Sequence, residues 1–366
     1  MRLVAISNCS TGMTIAKPVF DEQGTLLLGI GVKLTNKIIE RLGLKGITHL
    51  YLNDDLTNDL VLEDNISIET RTEATKRIQN VFLAIKEGMH KSKAATHGKL
   101  VFEFKKVFES LLNELKRNTQ LMNLLTYIQA KDSYVFTHSL NVTLYSLAIA
   151  MKLKYEDKKL YELGLGALLH DIGKMMVPQE ILHKPGKLTE DEYSIMKKHT
   201  EYGFEVLRKD PEISLLVAHC AYQHHEKLDG TGYPRGLKDN EIHPYAKIIA
   251  VADVFDALTT HQRCYRKGML PHEAMEILYT GCNTQFDQKI VEAFRSSVAL
   301  YPIGVTVVLN SGEKAVVVGY NADTPQRPRV RVFTDRDGNQ LEDWFEIDLS
   351  SSDYLSTMIV ECDAII

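Results

Sequence analysis

The chain has 366 residues, of which 44% are hydrophobic, so it can bury a sizeable core and is long enough for two or three domains. Its 43 basic and 48 acidic side chains give a net charge of −5, which excludes a general electrostatic attraction to nucleic acid polymers or anionic lipid. Any recognition of phosphate must therefore be local.

The five cysteines are widely spread and form no CxxC pair, which argues against a disulfide framework and against a thiolate zinc site. The N-terminal residues lack the apolar core of a signal peptide, and no run approaches the roughly 20 apolar residues that a membrane-spanning helix needs. We therefore expect a cytoplasmic protein with no membrane span.

The first half of the chain divides into two segments. Residues 1–65 combine short runs typical of strands with one helical stretch, around Asn36 to Leu44, and predict a small α/β N-terminal module. Residues 66–130 contain no proline and show helical spacing of apolar positions such as Val81, Phe82 and Ile85. They predict a helical connector, which could mediate a homodimer or gate access to the domain that follows.

In the second half of the chain, the predicted secondary structure changes from helices to strands after residue 300. Residues 131–300 alternate helical segments with loops marked by proline and glycine, and they predict an all-α central domain. After residue 300 the apolar spacing becomes two, as at Val305, Val307 and Leu309. Residues 301–366 therefore predict a small β-rich C-terminal module.

Histidine is concentrated in the central segment, where seven of the thirteen lie between residues 138 and 225. His170 and Asp171 end an apolar helical run, and Asp253 lies inside another. A carboxylate in such a place is costly unless it binds a cation or several donors. A lone histidine is more often a core or surface residue, but this set jointly predicts a metal site. Imidazole and carboxylate ligands without thiolates suit iron, manganese or catalytic zinc.

The helix that leads to His199 begins with a capping box, Thr189 to Glu192. Its spacing places His199 on the same helical face as Tyr193 and Met196. We expect one continuous helix through these residues.

Two segments carry a family resemblance. Residues 170–174 (HDIGK) resemble the HD phosphohydrolase signature, and residues 224–234 (HHEKLDGTGYP) resemble the HD-GYP signature. Similar agreement extends over residues 131–300, including 252–259 and 285–287. The resemblance implies that the all-α centre is an HD-type helical domain within a multidomain chain. The two end modules also resemble regions that flank such domains in some bacterial members.

The resemblance implies an activity in bacterial second-messenger signalling. HD-GYP proteins hydrolyse cyclic di-GMP to pGpG, and often on to GMP, usually with iron or manganese. It also implies a set of seven metal ligands: His138, His170, Asp171, His199, His224, His225 and Asp253. Some members bind a third metal through a glutamate four residues before the first histidine, where this chain has Tyr134. We therefore expect two divalent metal ions, with iron foremost and manganese as the alternative.

The expected chemistry follows from the substrate. A phosphodiester is an anion that repels hydroxide, and two metal ions both clamp its oxygens and lower the pKa of a shared water. We expect Asp171 to bridge the ions and a metal-bridging hydroxide to be the nucleophile, so that no Ser-His or Cys-His pair is needed. Lys174 is expected to place its ammonium on the scissile phosphate or the leaving oxygen. The alternative for Lys174 is a solvated side chain.

Further residues are predicted to bind substrate. By resemblance, Arg263 and Arg266 match a phosphate-contacting pair, although the segment before them is one residue longer and Cys264 replaces a usual proline.

The loop of Gly232, Tyr233 and Pro234 is open to two interpretations. It is either a tight turn only or, by resemblance, a loop that shapes the nucleotide pocket or binds diguanylate cyclase domains. Asp229 and Asp256 are expected to be hydrogen-bonding groups rather than ligands.

Three alternatives to a cyclic di-GMP phosphodiesterase stay open. The first is a catalytically silent or gated cyclic-dinucleotide receptor or signalling adaptor. The second is an HD phosphohydrolase of another nucleotide, and the third is a scaffold whose end modules carry the function. The scaffold alternative predicts that loss of metal would leave the function intact.

Overall fold

The computed structural model describes residues 1–21, 25–47, 49–60, 66–91, 97–117, 122–123, 134–260, 269–321 and 324–363. A helical centre lies between a small N-terminal α/β part and a C-terminal β-sheet. This confirms the predicted fold class. Among the described residues, no helix is long and apolar enough to cross a bilayer.

The N-terminal part contains two small antiparallel strand pairs and one helix. Its elements are β1 (Arg2–Ala5), β2 (Val19–Phe20), β3 (Leu26–Leu28), α1 (Asn36–Leu44) and β4 (His49–Leu52). β1 pairs with β4, and β2 pairs with β3. α1 spans the predicted stretch, because the Thr35 side chain accepts a hydrogen bond from the Ile38 backbone and so caps the helix. Val4, Ile15, Leu34 and Leu50 belong to its separate small core.

Two long helices follow, α2 (Ile68–Lys91) and α3 (His97–Arg117), and they pack against each other. The Glu114 carboxylate of α3 accepts hydrogen bonds from the backbone and hydroxyl of Ser67, at the start of α2. Phe82 joins the main core, and its ring meets that of Phe136 edge to face at 5.6 Å. α2 also packs against a 3₁₀ turn at Ile172–Met176. The connector therefore contacts the segment that contains Lys174.

The helical centre is made of nine helices in the part of the chain that the structure describes. They are α4 (Tyr134–Lys152), α5 (Asp157–Leu169), α6 (Gln179–Leu182), α7 (Glu190–Lys197), α8 (His199–Leu207), α9 (Leu215–Gln223), α10 (Pro244–Thr259), α11 (Pro271–Thr280) and α12 (Gln288–Arg295). The rings of Tyr145, Phe255 and Phe294 pack edge to face within the core, with centroids 4.7–5.8 Å apart. A short parallel pair, β5 (Met122–Asn123) with β6 (Val298–Ala299), joins the two ends of this domain.

The helix predicted to run through His199 is instead two helices. The capping box of Thr189 and Glu192 opens α7 as predicted. α7 ends at Lys197, and His199 begins α8. The physical reason is a tightened last turn, in which the Lys198 backbone donates to Ile195 and the His199 side chain donates to the Met196 carbonyl.

The C-terminal part is one antiparallel sheet of β7 (Thr306–Leu309), β8 (Lys314–Gly319), β9 (Arg329–Thr334), β10 (Gln340–Asp348) and β11 (Ile359–Cys362). Its strand order is β10-β9-β8-β7-β11. The sheet touches the N-terminal part, since the Leu3 backbone donates to the Gly304 carbonyl at 2.9 Å. The period-two spacing of Val305, Val307 and Leu309 is that of residues buried on one side.

Candidate metal centre

The structure brings the seven predicted ligands together from five helical elements. α4 provides His138 and α10 provides Asp253, while His170 and Asp171 follow the end of α5. His199 opens α8, and His224 and His225 follow the end of α9. All are buried except His225, whose side chain is 24% exposed. The centre therefore has a single partly open side, at His225.

One half of the centre surrounds the Oδ2 side of Asp171. The His138 Nε2 atom lies 3.5 Å from Asp171 Oδ2 and 3.0 Å from Asp253 Oδ1. The His170 Nε2 atom lies 3.3 Å from Asp171 Oδ2. One ligand atom from each of His138, His170 and Asp171 lies within 4.8 Å of the others, so a single ion could contact all three.

The other half lies on the Oδ1 side of Asp171. The Nε2 atoms of His199 and His224 are 3.4 and 3.8 Å from Asp171 Oδ1 and 3.3 Å from each other. His225 joins them in a second group of three candidate ligands, and its Nδ1 lies 3.8 Å from Asp253 Oδ2. Both carboxylates thus present one oxygen to each half.

The imidazoles are oriented by their outer nitrogen atoms. His170, His199 and His224 each place Nδ1 on a main-chain carbonyl three residues earlier, those of Ala167, Met196 and Ala221, at 2.7, 2.8 and 3.0 Å. A carbonyl only accepts, so Nδ1 carries the proton and Nε2 faces the centre with its lone pair. This is the arrangement in which histidine binds metals.

His138 is oriented by a carboxylate instead. Its Nδ1 lies 2.7 Å from Asp256 Oδ2, and the Asn141 amide donates to the other oxygen of Asp256 at 2.9 Å. This confirms that Asp256 is a hydrogen-bonding group. Asp229 is one as well, because it accepts bonds from the backbone and hydroxyl of Thr231. The sequence signal for Asp256 was its place one helical turn after Asp253.

The electrostatics of the centre favour the neutral form of His199, His224 and His225 and the ionised form of both carboxylates. Burial lowers the pKa of His199 to about 4 and that of His225 to about 3. Although burial opposes ionisation of Asp171, Lys174 and the neighbouring histidines hold its pKa well below its usual range. Burial opposes ionisation of Asp253 as well, but His138 and His225 hold the pKa of this carboxyl well below its usual range. These are the protonation states that bind divalent cations.

Two atoms at the heart of the centre test whether metal fits. Among the described residues, His170 Nε2 and Asp171 Oδ1 are buried and accept no hydrogen bond. Orphaned polar atoms are expensive in a protein interior. His170 Nε2 lies in the half with His138, and Asp171 Oδ1 faces the half with His199 and His224. A divalent ion in each half would give both atoms a partner. The donor set therefore fits two metal ions.

Lys174 and the loop lie at the edge of the centre. The Lys174 ammonium donates to Asp171 Oδ2, and its side chain is 15% exposed. The Tyr233 ring stacks on His225 with centroids 4.7 Å apart at 29°, and the Tyr233 backbone donates to the His225 carbonyl. Gly232 allows this approach, since a Cβ there would lie 2.4 Å from the Lys227 nitrogen. Pro234 follows, partly buried.

Sequence reasoning missed what holds this loop. The buried Glu226 carboxylate accepts from the backbones of Arg235 and Leu237 at 2.8 and 2.9 Å. The only feature of the sequence that could have indicated this role is the position of Glu226, directly after His224 and His225. Arg263 and Arg266, the predicted phosphate contacts, lie outside the described residues.

Comparisons with known proteins show that the candidate ligands lie within a segment that matches a known family. Residues 111–290 match the HD domain model, and residues 306–365 match a KOW domain associated with the HD domain. A cyclic di-GMP phosphodiesterase of Pseudomonas aeruginosa is 40% identical over 209 residues, 57% of this chain and 50% of that protein. A cyclic di-GMP phosphodiesterase of Thermotoga maritima is 38% identical over 193 residues, 52% of this chain and 51% of that protein.

A 3'3'-cGAMP-specific phosphodiesterase of Vibrio cholerae is 40% identical over 187 residues, 51% of this chain and 40% of that protein. The chain thus spans about half, or less, of the length of these curated relatives. The matches confirm the resemblance that residues 170–174 and 224–234 suggested, since residues 111–290, a little under half of the chain, match the HD domain family.

Proposed function

We propose that this protein is a metal-dependent phosphodiesterase that hydrolyses cyclic di-GMP to pGpG, and on to GMP. The observation that carries the proposal is the pair of orphaned buried atoms, His170 Nε2 and Asp171 Oδ1, within the two groups of converging histidine and aspartate side chains. The names of the relatives support the substrate class. A bacterial second messenger as substrate also supports a cytoplasmic location.

The seven converging residues are the ligands we propose for two divalent ions. When bound, such ions would neutralise the charge of the diester and supply an activated water. Asp171 presents Oδ2 to the half with His138 and Oδ1 to the half with His199, which suits a bridging role. Iron is the metal we propose and manganese the alternative, because both accept mixed imidazole and carboxylate ligands.

The residues at the edge are proposed to bind the diester. Lys174 holds its ammonium beside Asp171 and is partly exposed, so it can reach a phosphate oxygen or the leaving oxygen. The loop of Gly232, Tyr233 and Pro234 stands next to His225, the only partly exposed candidate ligand, and so would form a wall of the nucleotide pocket. Arg263 and Arg266 remain proposed phosphate contacts.

Some partners remain proposals from the resemblance alone. Diguanylate cyclase domains are proposed to bind through the same loop, and a homodimer through α2 and α3. A second candidate substrate is 3'3'-cGAMP, since the relative from Vibrio cholerae has the same identity over its match as the one from Pseudomonas aeruginosa.

The deciding experiment is anaerobic reconstitution with iron or manganese, followed by chromatography of cyclic di-GMP products and a count of bound metal. We expect about two metal ions per chain and turnover. Asp171→Asn should abolish turnover and reduce the metal count, because one carboxylate oxygen faces each half. Asp229→Asn is the matched control, since the Asp229 carboxylate accepts its hydrogen bonds from Thr231 within its own turn.

Each contrary result has a meaning. Bound metal without turnover of either cyclic dinucleotide would favour a gated receptor or an HD enzyme with another substrate. A wild-type protein that binds neither metal would contradict the proposal. Equal activity of Asp171→Asn and wild type would do so as well.

A further inference from the structure

Two side chains that the sequence motifs do not single out lie at the mouth of the centre. Tyr193 and Lys197 are one helical turn apart on α7, the helix that leads into His199. The Tyr193 side chain is 44% exposed, so burial in a core does not explain it. Within the described residues, its hydroxyl has no hydrogen-bond partner and Lys197 forms no ion pair. Both side chains are available to a ligand.

Tyr233 connects this pair to the centre. The Tyr233 ring stacks on His225 and stands edge-on to His199, with its centroid 6.5 Å from that ring. The Tyr193 ring meets Tyr233 at 6.5 Å and 78°. The rings of Tyr233 and Tyr193 therefore form a continuous row of aromatic contacts from the candidate ligand His225 to the exposed surface of α7.

Lys197 lies against both tyrosines. Its Nζ atom is 5.0 Å from the ring centroid of Tyr193 and 6.0 Å from that of Tyr233. An ammonium at these distances interacts with the ring faces, which is a weak attraction at an exposed site. A phosphate or a purine could therefore displace it readily.

The chemistry of this clamp, which we define as Tyr193, Lys197 and Tyr233, matches a nucleotide. A cyclic dinucleotide presents a flat purine next to a phosphodiester, and proteins bind such groups by pairing an aromatic platform with a cation. Of the three acids in the first turn of α7, Glu192 is engaged elsewhere, because its carboxylate bonds to Lys184 and to the Thr189 backbone. The Lys197 ammonium places a positive charge beside both rings.

We propose that Tyr193 stacks on one purine base of the cyclic dinucleotide and that Lys197 leaves the ring faces to bind the adjoining phosphate. This inference rests on the proposed function and deepens it, since it assigns two substrate-binding residues outside the HD and GYP signatures. It also predicts selectivity for purine-containing diesters over diesters without a base.

The test compares Tyr193→Phe with Tyr193→Leu, which keep and remove the aromatic ring at similar bulk. In the metal-reconstituted protein, Tyr193→Leu should raise the KM for cyclic di-GMP roughly tenfold, whereas Tyr193→Phe should stay within about twofold of wild type. Tyr193→Leu should also lower kcat/KM for cyclic di-GMP about ten times more than for bis(p-nitrophenyl) phosphate, which has no purine. Lys197→Met should raise KM, and Lys197→Arg should restore part of the loss.

Ser194→Ala, a change at the exposed neighbour of Tyr193 on the same helix, is the control and should behave as wild type. Equal effects of Tyr193→Phe and Tyr193→Leu, or equal losses on both diesters, would overturn the clamp and indicate a structural role.

Absence of cyclic di-GMP turnover in the wild type would count against the proposed function. The clamp can then still be tested by a binding measurement that does not depend on turnover. Calorimetry with GMP, in the presence of a chelator, then measures the ring contact without catalysis. A Kd roughly tenfold weaker in Tyr193→Leu than in Tyr193→Phe supports the clamp. The same Kd in both variants, or no binding of GMP to the wild type, overturns it.

Discussion

At the scale of single residues, the centre is organised by the atoms that face away from it. Four of its imidazoles use Nδ1 for a hydrogen bond, three to main-chain carbonyls and that of His138 to Asp256. Main-chain carbonyls are fixed by the helices, so only His138 depends on a side chain that a substitution can remove. Asp256 is therefore the residue through which metal affinity can be changed without altering a candidate ligand.

Asp256→Asn should weaken metal binding about 10- to 100-fold, because the amide removes the negative charge that raises the basicity of His138 and can present its nitrogen to the ring. Competition with a chelator of known affinity measures the change. Asp335→Asn makes the same carboxylate-to-amide change in an exposed turn of the C-terminal sheet and should leave the affinity as it is. Equal affinities for all three proteins would count against this role of Asp256.

The sequence predicted the candidate ligands but not their surroundings. Histidines and aspartates in apolar helices are visible as a pattern, since burial of such groups demands a partner. The roles of Glu226 and Tyr193 are not visible in this way, because one bonds to backbone nitrogens nine and eleven residues later and the other meets a ring forty residues away. Contacts of that kind depend on how loops fold back, which local spacing does not determine.

At the scale of elements, the turn at Ile172–Met176 lies directly against α8. A Cβ at Gly173 would be 1.9 Å from the His199 carbonyl oxygen and 2.5 Å from the Gly203 nitrogen. These are backbone atoms, which cannot rotate away as a side chain could. Only glycine permits the approach that places Asp171 and Lys174 beside His199.

Gly173→Ala should therefore push the turn and α8 apart. We expect a loss of about 1–3 kcal/mol in the free energy of unfolding, the usual range for overpacking, together with fewer bound metal ions. Urea unfolding followed by circular dichroism, with a metal count, measures both effects. Gly29→Ala is the control, since nothing lies within 4 Å of a Cβ at that position. An unchanged metal count in Gly173→Ala would contradict the link between this turn and the centre.

Apolar spacing in the sequence predicts where a helix lies, but it does not predict a break within a periodic stretch or a strand too short to alternate. α1 was expected from its apolar spacing and spans the same residues, Asn36–Leu44. The break between α7 and α8 was not expected, because side-chain spacing continues through Lys198 while the last turn tightens. The pair of β5 and β6 has two residues in each strand, too few to give any alternation.

At the scale of the whole molecule, the N-terminal part and the C-terminal sheet share a polar contact around Arg331. This side chain is 3% exposed, and its guanidinium bonds to both carboxylate oxygens of Asp59 at 2.7 Å and to Glu346. Trp344 covers it, with its ring centroid 3.9 Å from the guanidinium carbon. Trp344 is the single tryptophan of the chain, so its fluorescence reports on this contact.

Arg331→Met should lower the free energy of unfolding by about 1–3 kcal/mol, because the charged hydrogen bonds of the buried guanidinium to Asp59 and Glu346 are lost. Trp344 fluorescence in urea should show the loss as an earlier transition. Arg336→Met removes an arginine that is 76% exposed and paired with Glu313, so the expected change is below about 0.5 kcal/mol. Coincident unfolding curves for both variants and wild type would contradict this role of Arg331.

The same contact predicts a dependence on pH. The hydrogen bonds that the Asp59 carboxylate accepts from Arg331 lower the pKa of Asp59 to about 2. A carboxyl whose pKa is lower in the folded state contributes stability that is complete above its unfolded pKa and is lost as the pH falls through the folded value. The contribution should therefore be constant from neutral pH to about 4 and decline toward pH 2. Asp59→Asn should lack this decline when Trp344 fluorescence is followed during acid titration.

The short parallel pair of β5 and β6 has a consequence for how the chain is connected. It brings the strand entering the helical domain beside the strand leaving it, while Leu3 and Gly304 join the two end modules a few residues further on. The two ends of the helical domain are thus held side by side, and the two end modules contact each other close to that point. Loosening of either end module would therefore affect both connections of the domain that holds the candidate metal centre.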